Sequence, residues 1–395
     1  MSSPVTSPSA LPAGPATTAS YSNSLASLRG LAAAVVVVYH ALLVFQVGDH
    51  GAPHRATFDL SDPPLAVLHA LMGVFNGPNA VILFFVLSGT VLALSIERAG
   101  AITGRTFVGY CIRRLFRIVP LLAFVALLTA GMHLFLAPQP DIPAGTAWMN
   151  NYFRHDPTLG ELALNAIGWS NSLNSPTWTI RVEILASLVF PVLFVLRSSG
   201  AMIAVTLAAL AALALVPLGD VRFHIFLISF YLGALVPLCG ARIGDMLGRL
   251  NVPQALLVIV VLMAWAAAVG RLYKPWIHVE PVRVLLVSPA VALLVAVVYR
   301  GVLERRFSTR ALTFLGEISY STYLIHFGVI FTMLYAVAPH LPGSLSPLEA
   351  LGSNLLLSVL ALALTIPIAF LTYTFVEKPF QQLGRRLAHT WGHSR

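Results

Sequence analysis

The sequence predicts an all-α fold: a polytopic integral membrane helical bundle with about ten transmembrane helices. Of its 395 residues, 57% are hydrophobic and only 10% are charged, whereas soluble globular domains carry roughly 25% charged residues. The mean hydropathy is +0.83. Apolar segments recur along almost the whole chain. Because lipid offers no partners to backbone polar groups, such segments are expected to cross the bilayer as helices.

Each apolar segment is close to the roughly 20 residues that a spanning helix needs. The predicted spans are residues 27–47, 79–96, 112–136, 178–197, 200–218, 222–239, 253–270, 282–300, 315–338 and 350–376. Residues 1–24 are uncharged and rich in Ser, Pro, Ala and Thr, so we expect a disordered tail there. Residues 25–385 form the membrane domain, and 386–395 a short basic tail.

The positive charges fall mainly on alternate loops. Only Lys274 and Lys378 of the 24 cationic residues are lysines, and arginine dominance favours specific binding of phosphate or carboxylate over a diffuse basic coat. The net charge of +9 therefore does not indicate a nucleic-acid partner. The positive-inside rule predicts that both termini are cytoplasmic, in a plasma membrane that we expect to be a bacterial inner membrane.

Arg29 and His40 lie in the first predicted span, within SLRGLAAAVVVVYH. Eleven residues correspond to about three helical turns, so both side chains share one face, with His40 about 16 Å deeper. That depth is near the middle of the hydrocarbon core. Ionisable residues there are rare and usually functional, which makes His40 a candidate catalytic residue.

Other polar side chains are predicted at a similar depth. Glu183 in the fourth span and His326 in the ninth are the further catalytic candidates. For His326, a helix–helix hydrogen bond is an equal alternative. Ser88 and Tyr323 are better interpreted as helix–helix hydrogen bonds.

An arginine cluster, CIRRLFRIVP at residues 111–120, begins the third span. Arg114 and Arg117 share a helix face at the expected level of Arg29, so these three residues are predicted to bind the phosphates of an anionic ligand. For Arg113, contact with lipid headgroups is an equal alternative. The H-x4-D spacing at His54–Asp59 lies in a loop without a supporting motif and is interpreted as coincidental. Histidines of a flexible loop are weak evidence for metal binding, so no metal site is predicted.

Six motifs in order along residues 25–385 resemble the membrane acyltransferase 3 family. They are the R-x10-H pattern of Arg29 and His40, FFVLSG at 84–89, RRLFRIVP at 113–120, SLNSPTWTIRVE at 172–183, LGEISYSTYLIH and FVEKP. Two features depart from the family pattern. ILAS at 184–187 replaces an aromatic pair, and the tyrosine that often follows the proline of the arginine motif is absent.

The resemblance implies an acyl-CoA-dependent O-acyltransferase in stand-alone form, without an appended extracytoplasmic esterase-like domain. The co-substrate would be acyl-CoA, expected to be acetyl-CoA, with no permanently bound cofactor. The other partners would be membrane lipids and a glycan or glycolipid acceptor at the surface or on the export route. CoA phosphates would dock at Arg29, Arg114 and Arg117, and the pantetheine arm would reach down to His40.

The expected chemistry centres on His40. It would take the proton of the acceptor hydroxyl or accept the acyl group itself. Glu183 would orient and charge-balance the imidazole. His326, Tyr323 or Ser88 would donate to the tetrahedral oxyanion.

Three alternatives stay open. A transporter or exporter could use His40 and Glu183 as a proton relay, but it would not require the arginine cluster. A non-catalytic scaffold would leave His40 unexplained. Among enzymes, acylation of a small secondary metabolite such as a macrolide is the alternative.

Overall fold

The computed structural model describes residues 18–48, 60–100, 103–136, 142, 144–152, 155–219, 222–247, 250–271, 280–301 and 304–393. Side chains are described throughout these ranges except at 18–22, 239–247, 270–271, 305 and 391–393. The loop motif at 54–59 and most of the predicted N-terminal tail lie outside the described residues.

The described residues form α-helices and short connecting turns, which confirms the all-α prediction. The helices are α1 Thr18–Leu42, α2 Pro63–Val74, α3 Gly77–Ala99, α4 Gly104–Leu136, α5 Ala147–Asn150, α6 Leu159–Ala166, α7 Trp178–Val195, α8 Gly200–Ala214, α9 Phe223–Leu247, α10 Val252–Arg271, α11 Glu280–Tyr299, α12 Glu304–Phe307, α13 Arg310–Glu317, α14 Ser319–Val337, α15 Pro347–Thr372 and α16 Lys378–His393. A 3-10 turn at Ser175–Thr177 precedes α7, and a π-helical turn at Tyr373–Glu377 joins α15 to α16.

Eight helical segments of the described residues are long and apolar enough to cross a membrane. Two further apolar helices, Gly200–Ala214 and Phe223–Leu238, are shorter. Each of the ten predicted spans therefore coincides with an apolar helix, and the structure is that of a polytopic helical membrane protein.

Both predicted tails extend less far than expected. The helix α1 begins at Thr18, so residues 18–24 are helical, and Ser24 is buried with its hydroxyl 3.3 Å from that of Ser308. At the other end α16 continues to His393, and Ala388 is buried where α16 packs on α4. Packing against neighbouring helices stabilises these segments. The composition of a segment does not reveal such contacts, so the prediction made both tails too long.

Glycines allow the closest helix approaches. A Cβ on Gly89 of α3 would collide with the Phe230 carbonyl of α9, and one on Gly233 of α9 would collide with the Val86 carbonyl of α3. Small residues at such crossings let backbones meet in membrane bundles. Gly89 and Gly233 therefore allow α3 and α9 to pack closely.

The far end of α1 is held by hydrogen bonds to other parts of the chain. Asn354 of α15 accepts from the Phe45 backbone N–H at 2.9 Å and donates to the Phe45 carbonyl at 3.0 Å. The Thr146 hydroxyl donates to the Leu43 carbonyl at 2.7 Å. These bonds fix the chain just beyond His40 and place α5 beside it.

Candidate active site

A pocket of about 570 Å³, including its open mouth, lies between α1, α3, α4, α7 and α14. Its polar lining includes Arg29, Arg117, Ser88, Glu183 and Tyr323. All five were singled out from the sequence as site candidates or possible oxyanion donors, and they lie on five separate helices. We call this pocket the arginine pocket. The helix bundle therefore brings together residues that are far apart in the chain.

Arg29 is anchored by the start of α14. Its Nε and Nη2 atoms donate to the Ser319 hydroxyl at 3.3 and 3.2 Å, and Nη2 lies 3.4 Å from the Gly316 carbonyl. A Cβ on Gly316 would collide with the Ala26 backbone, so a glycine is needed for this close approach to α1. The guanidinium is held in place while it lines the pocket.

Arg117 differs from its neighbours because it makes no hydrogen bond or ion pair to the described residues. It lines the pocket and lies close enough to Arg29, Arg114, Glu183 and Glu377 to interact electrostatically with each. Arg114 is paired, whereas none of the five N–H donors of Arg117 has an acceptor among the described residues. The arrangement favours an anion bound at Arg117.

Glu183 pairs with Arg114, at 3.0 Å between Oε1 and Nη2. The Ser88 hydroxyl donates to the same oxygen at 3.3 Å, and Arg114 also donates to the Ser187 hydroxyl at 2.7 and 3.2 Å. Ser187 belongs to the ILAS segment that departs from the family pattern. The expectation that Glu183 orients the imidazole of His40 is wrong, because its carboxylate is held at the arginine cluster.

The reason is the depth at which α7 begins. Asn174, just before the helix, donates to the Leu324 carbonyl in the middle of α14 at 2.8 Å. Thr179 in its first turn lies 2.8 Å from the Tyr323 hydroxyl. The first turn of α7 is therefore already level with Tyr323, and Glu183, one turn later, reaches the arginines. The depth predicted for Glu183 from the sequence assumed that this helix starts at the membrane surface.

His40 instead pairs with His326. Nδ1 of His40 lies 2.7 Å from Nε2 of His326, and the rings are parallel at 5.0 Å between centroids. Nδ1 of His326 lies 3.3 Å from the Thr322 carbonyl. His326 is fully buried, whereas His40 is partly accessible. The two histidines predicted from separate spans thus form one unit.

Aromatic rings surround this pair. The Trp148 ring of α5 stacks on His40 at 5.4 Å and 20°, and Phe327 meets His40 edge-on at 6.3 Å. Tyr152 lies beside Phe327 at 5.0 Å, and burial raises the pKa of its hydroxyl, so this hydroxyl stays protonated near neutral pH. The described side chains in ring contact with the two histidines are aromatic and uncharged.

Tyr323 connects the pocket to the histidine pair. Its ring lies 5.9 Å from that of His326, and its side chain lines the pocket. Its hydroxyl is 3.2 Å from the Pro176 carbonyl and bonded to Thr179, as expected for a helix–helix hydrogen bond. Ser88 also bonds across helices, to Glu183. The hydroxyl protons of these two of the three predicted oxyanion donors are therefore already engaged.

Several residues of the site carried no usable signal in the sequence. Trp148 lies in a four-residue helix of a loop, and Ser319 and Ser187 are serines within apolar helices. Glu377 is a further residue near the arginines of the site. It is buried and accepts from the Ser321 hydroxyl at 2.6 Å. It lies at the end of the π-helical turn, a kind of turn that frequently occurs at functional sites.

Comparison with known proteins agrees with this architecture. A family described as "Acyltransferase domain" (Acyl_transf_3) matches residues 22–374. The chain is 28% identical over 338 residues to a Streptomyces mycarofaciens protein named acyltransferase MdmB, over 78% of this chain and 82% of that relative. No solved structure matches the chain. With a match that spans every helix of the pocket and the histidine pair, the chain belongs to the acyltransferase 3 family and is an acyltransferase.

Proposed function

We propose that this acyltransferase moves an acyl group, expected to be acetyl, from cytoplasmic acyl-CoA to a sugar hydroxyl of a surface or exported glycan. The observation that carries the donor assignment is Arg117. A guanidinium that lines a pocket beside Arg29, with no hydrogen-bond or ion-pair partner in the described part of the chain, favours a polyanionic ligand. The diphosphate of CoA has that chemistry, and its acyl arm is long enough to run from there toward His40.

The hydrogen bonds of the histidine pair indicate which nitrogen acts as the base. The Thr322 carbonyl can only accept, so in the neutral pair Nδ1 of His326 carries hydrogen and its Nε2 accepts. His40 Nδ1 then carries hydrogen and donates to His326. The lone pair of His40 is therefore on Nε2, on the accessible member of the pair, where an acceptor hydroxyl can deliver its proton.

The proposed reaction transfers the acyl group directly from the CoA sulfur to the acceptor oxygen. The acceptor oxygen attacks the thioester carbonyl while His40 Nε2 takes its proton. The tetrahedral intermediate collapses with cleavage of the carbon–sulfur bond, and the CoA sulfur leaves with the proton returned from the imidazolium. His326 is a positioning residue that holds the reactive tautomer of His40. Glu183 acts on Arg114 and so shapes the donor pocket.

The orientation is part of the proposal. With both termini in the cytoplasm, the mouth of the arginine pocket faces the CoA pool. In a chain whose native cysteines are replaced by serine, Gly104→Cys should be shielded from an impermeant thiol reagent in intact cells, and Leu345→Cys should react. Labelling of position 104 from outside would overturn this orientation.

The acceptor is tested by mass spectrometry of cells fed isotope-labelled acetate. Surface glycans and exported metabolites would be compared between cells that express the wild type and cells that express His40→Ala at equal abundance. Labelled acetyl esters on a sugar in the wild type alone support the proposal. Label confined to an exported small molecule, such as a macrolide, would instead establish the alternative acceptor.

A further inference from the structure

A second cavity lies between the ends of α3, α4 and α7, on the side away from His40. It encloses about 330 Å³ including its mouth, and its lining includes Phe107, Tyr110 and Arg113 of α4 with Ser95 and Thr106. The family match, the arginine pocket and the histidine pair leave these residues without an assigned function.

This cavity continues the arginine pocket along the same seam. Both are lined by α3, α4 and α7. Ser95 is seven residues beyond Ser88, two helical turns on the same face and about 10 Å along the axis. On α4, Arg113 lies one turn before Arg117. Along this seam α4 is joined to α7 by the Arg114–Glu183 ion pair and by the Tyr110 hydroxyl, which donates to the Ser187 carbonyl at 2.9 Å.

The lining combines a flat apolar surface with an unpaired cation. The rings of Phe107 and Tyr110 are near-parallel, at 6.4 Å and 23°, and Phe107 is 37% exposed. Arg113 is exposed and makes no hydrogen bond or ion pair to the described residues. The hydroxyl groups of Ser95 and Thr106 add polar contacts. A heteroaromatic base that carries a phosphate matches all three features.

We propose that this cavity is the nucleotide subsite of the donor, with the adenine ring on Phe107 and the ribose 3′-phosphate on Arg113. The inference rests on the proposed acyl-CoA donor. It explains why the two cavities share a seam: the diphosphate at Arg117 lies about one to two helical turns from the base, a distance that the nucleotide spans. A lipid headgroup phosphate is the competing occupant of Arg113.

The test measures dissociation constants of three ligands with the purified full chain in phosphatidylcholine nanodiscs. The ligands are CoA, 3′-dephospho-CoA and 4′-phosphopantetheine. Phe107→Ala should weaken binding of both CoA forms by about fivefold or more, since base–aromatic stacking is lost, and leave phosphopantetheine unchanged. Arg113→Ala should weaken CoA by about tenfold or more and leave 3′-dephospho-CoA within about twofold.

Matched controls lie on the same helix outside the cavity. Val108→Ala removes an exposed apolar side chain and Arg105→Ala an exposed cation; both should bind all three ligands as the wild type does. Phe107→Tyr should restore CoA affinity because it keeps the stacking surface. Recovery of CoA binding in this variant also shows that a loss in Phe107→Ala is not a folding defect.

The outcomes separate the two proposals. A wild type that binds none of the ligands overturns the proposed donor and this inference with it. A wild type that binds CoA, with Phe107→Ala and Arg113→Ala indistinguishable from it, overturns the nucleotide subsite alone. If Arg113→Ala changes only the response to added phosphatidylglycerol, Arg113 contacts lipid headgroups and the subsite is likewise overturned.

Discussion

The arginine pocket and the histidine pair lie on the same helices, α1 and α14, but their surroundings differ. Charged side chains surround the first, and aromatic rings surround the second. At the pocket, Arg29, Arg117 and the neighbouring Arg114 are offset by the carboxylates of Glu183 and Glu377. Among the described residues, Arg117 has no hydrogen-bond or ion-pair partner. At His40 and His326 the neighbours are aromatic rings and a backbone carbonyl. One region is built to hold charge, and the other to hold two neutral rings in a fixed orientation.

This difference has a physical basis. Charge inside a bundle costs several kcal/mol unless it is paired, so an open cationic site needs nearby carboxylates to be tolerated. A base must be neutral to accept a proton, and an apolar surrounding favours the neutral imidazole. Binding and proton transfer are therefore separated by about three turns of α1, and substitutions in each region should have separable effects.

The largest expected effect comes from His40→Ala. Loss of the proposed base should lower acyl transfer by about 10²–10⁴-fold, while CoA affinity stays near that of the wild type because the phosphates bind at the other region. Transfer is measured as labelled acetyl esters formed, and affinity by equilibrium binding. The exposed His340→Ala is the matched control and should change neither quantity. Near-normal transfer by a folded His40→Ala protein would remove His40 from the chemistry.

The next effect is expected at His326. Substitution by Leu removes the acceptor for His40 Nδ1–H and should lower transfer by about 10–100-fold, because the reactive tautomer is no longer favoured. Substitution by Gln, whose side-chain carbonyl can accept the same hydrogen bond, should recover part of the rate. The comparison is made on the maximal rate at saturating donor. Equal rates for the Leu and Gln variants would mean that packing, and not the hydrogen bond, matters.

Arg117→Ala should weaken CoA binding by about 10–100-fold, which corresponds to a charge-assisted contact of about 1.5–3 kcal/mol. The maximal rate at saturating donor should change little, since His40 is remote. Arg310→Ala removes an exposed cation and is the control. An Arg117→Ala protein with unchanged affinity would return this residue to a purely structural or topological role.

The smallest effect on catalysis is expected for Glu183→Gln, which tests the boundary between the two regions. Because Glu183 pairs with Arg114 and not with His40, the pH profile of transfer should not move. The rate should still fall as pH drops and the imidazolium forms. The free energy of unfolding should decrease by about 1–3 kcal/mol through the weakened ion pair, measured by thermal unfolding against the exposed Glu317→Gln.

A shift of the pH profile toward lower pH in Glu183→Gln would show that the carboxylate stabilises the imidazolium after all. The rate of the wild type itself should decline on the acid side, because a protonated His40 cannot accept the hydroxyl proton. These two curves, measured with one saturating donor concentration, decide whether the regions act independently.

The helical membrane fold, the ten apolar helices and the polar residues that reach the interior could all be predicted from the amino-acid sequence. This was possible because burying charge in hydrocarbon is costly, so Arg29 and His40 are conspicuous in an apolar helix. The eleven-residue spacing within α1 was also readable, because both residues lie on one continuous helix with a fixed rise.

The contacts between polar side chains of different helices could be read only from the tertiary structure. The partner of His40 depends on how α14 lies beside α1, and that of Glu183 on the depth at which the 3-10 turn at Ser175–Thr177 starts α7. The contacts of Trp148 and Glu377 depend on a loop and on a π-helical turn. These are long-range relations between helices, set by packing and glycine-mediated approach, and spacing within one helix does not encode them.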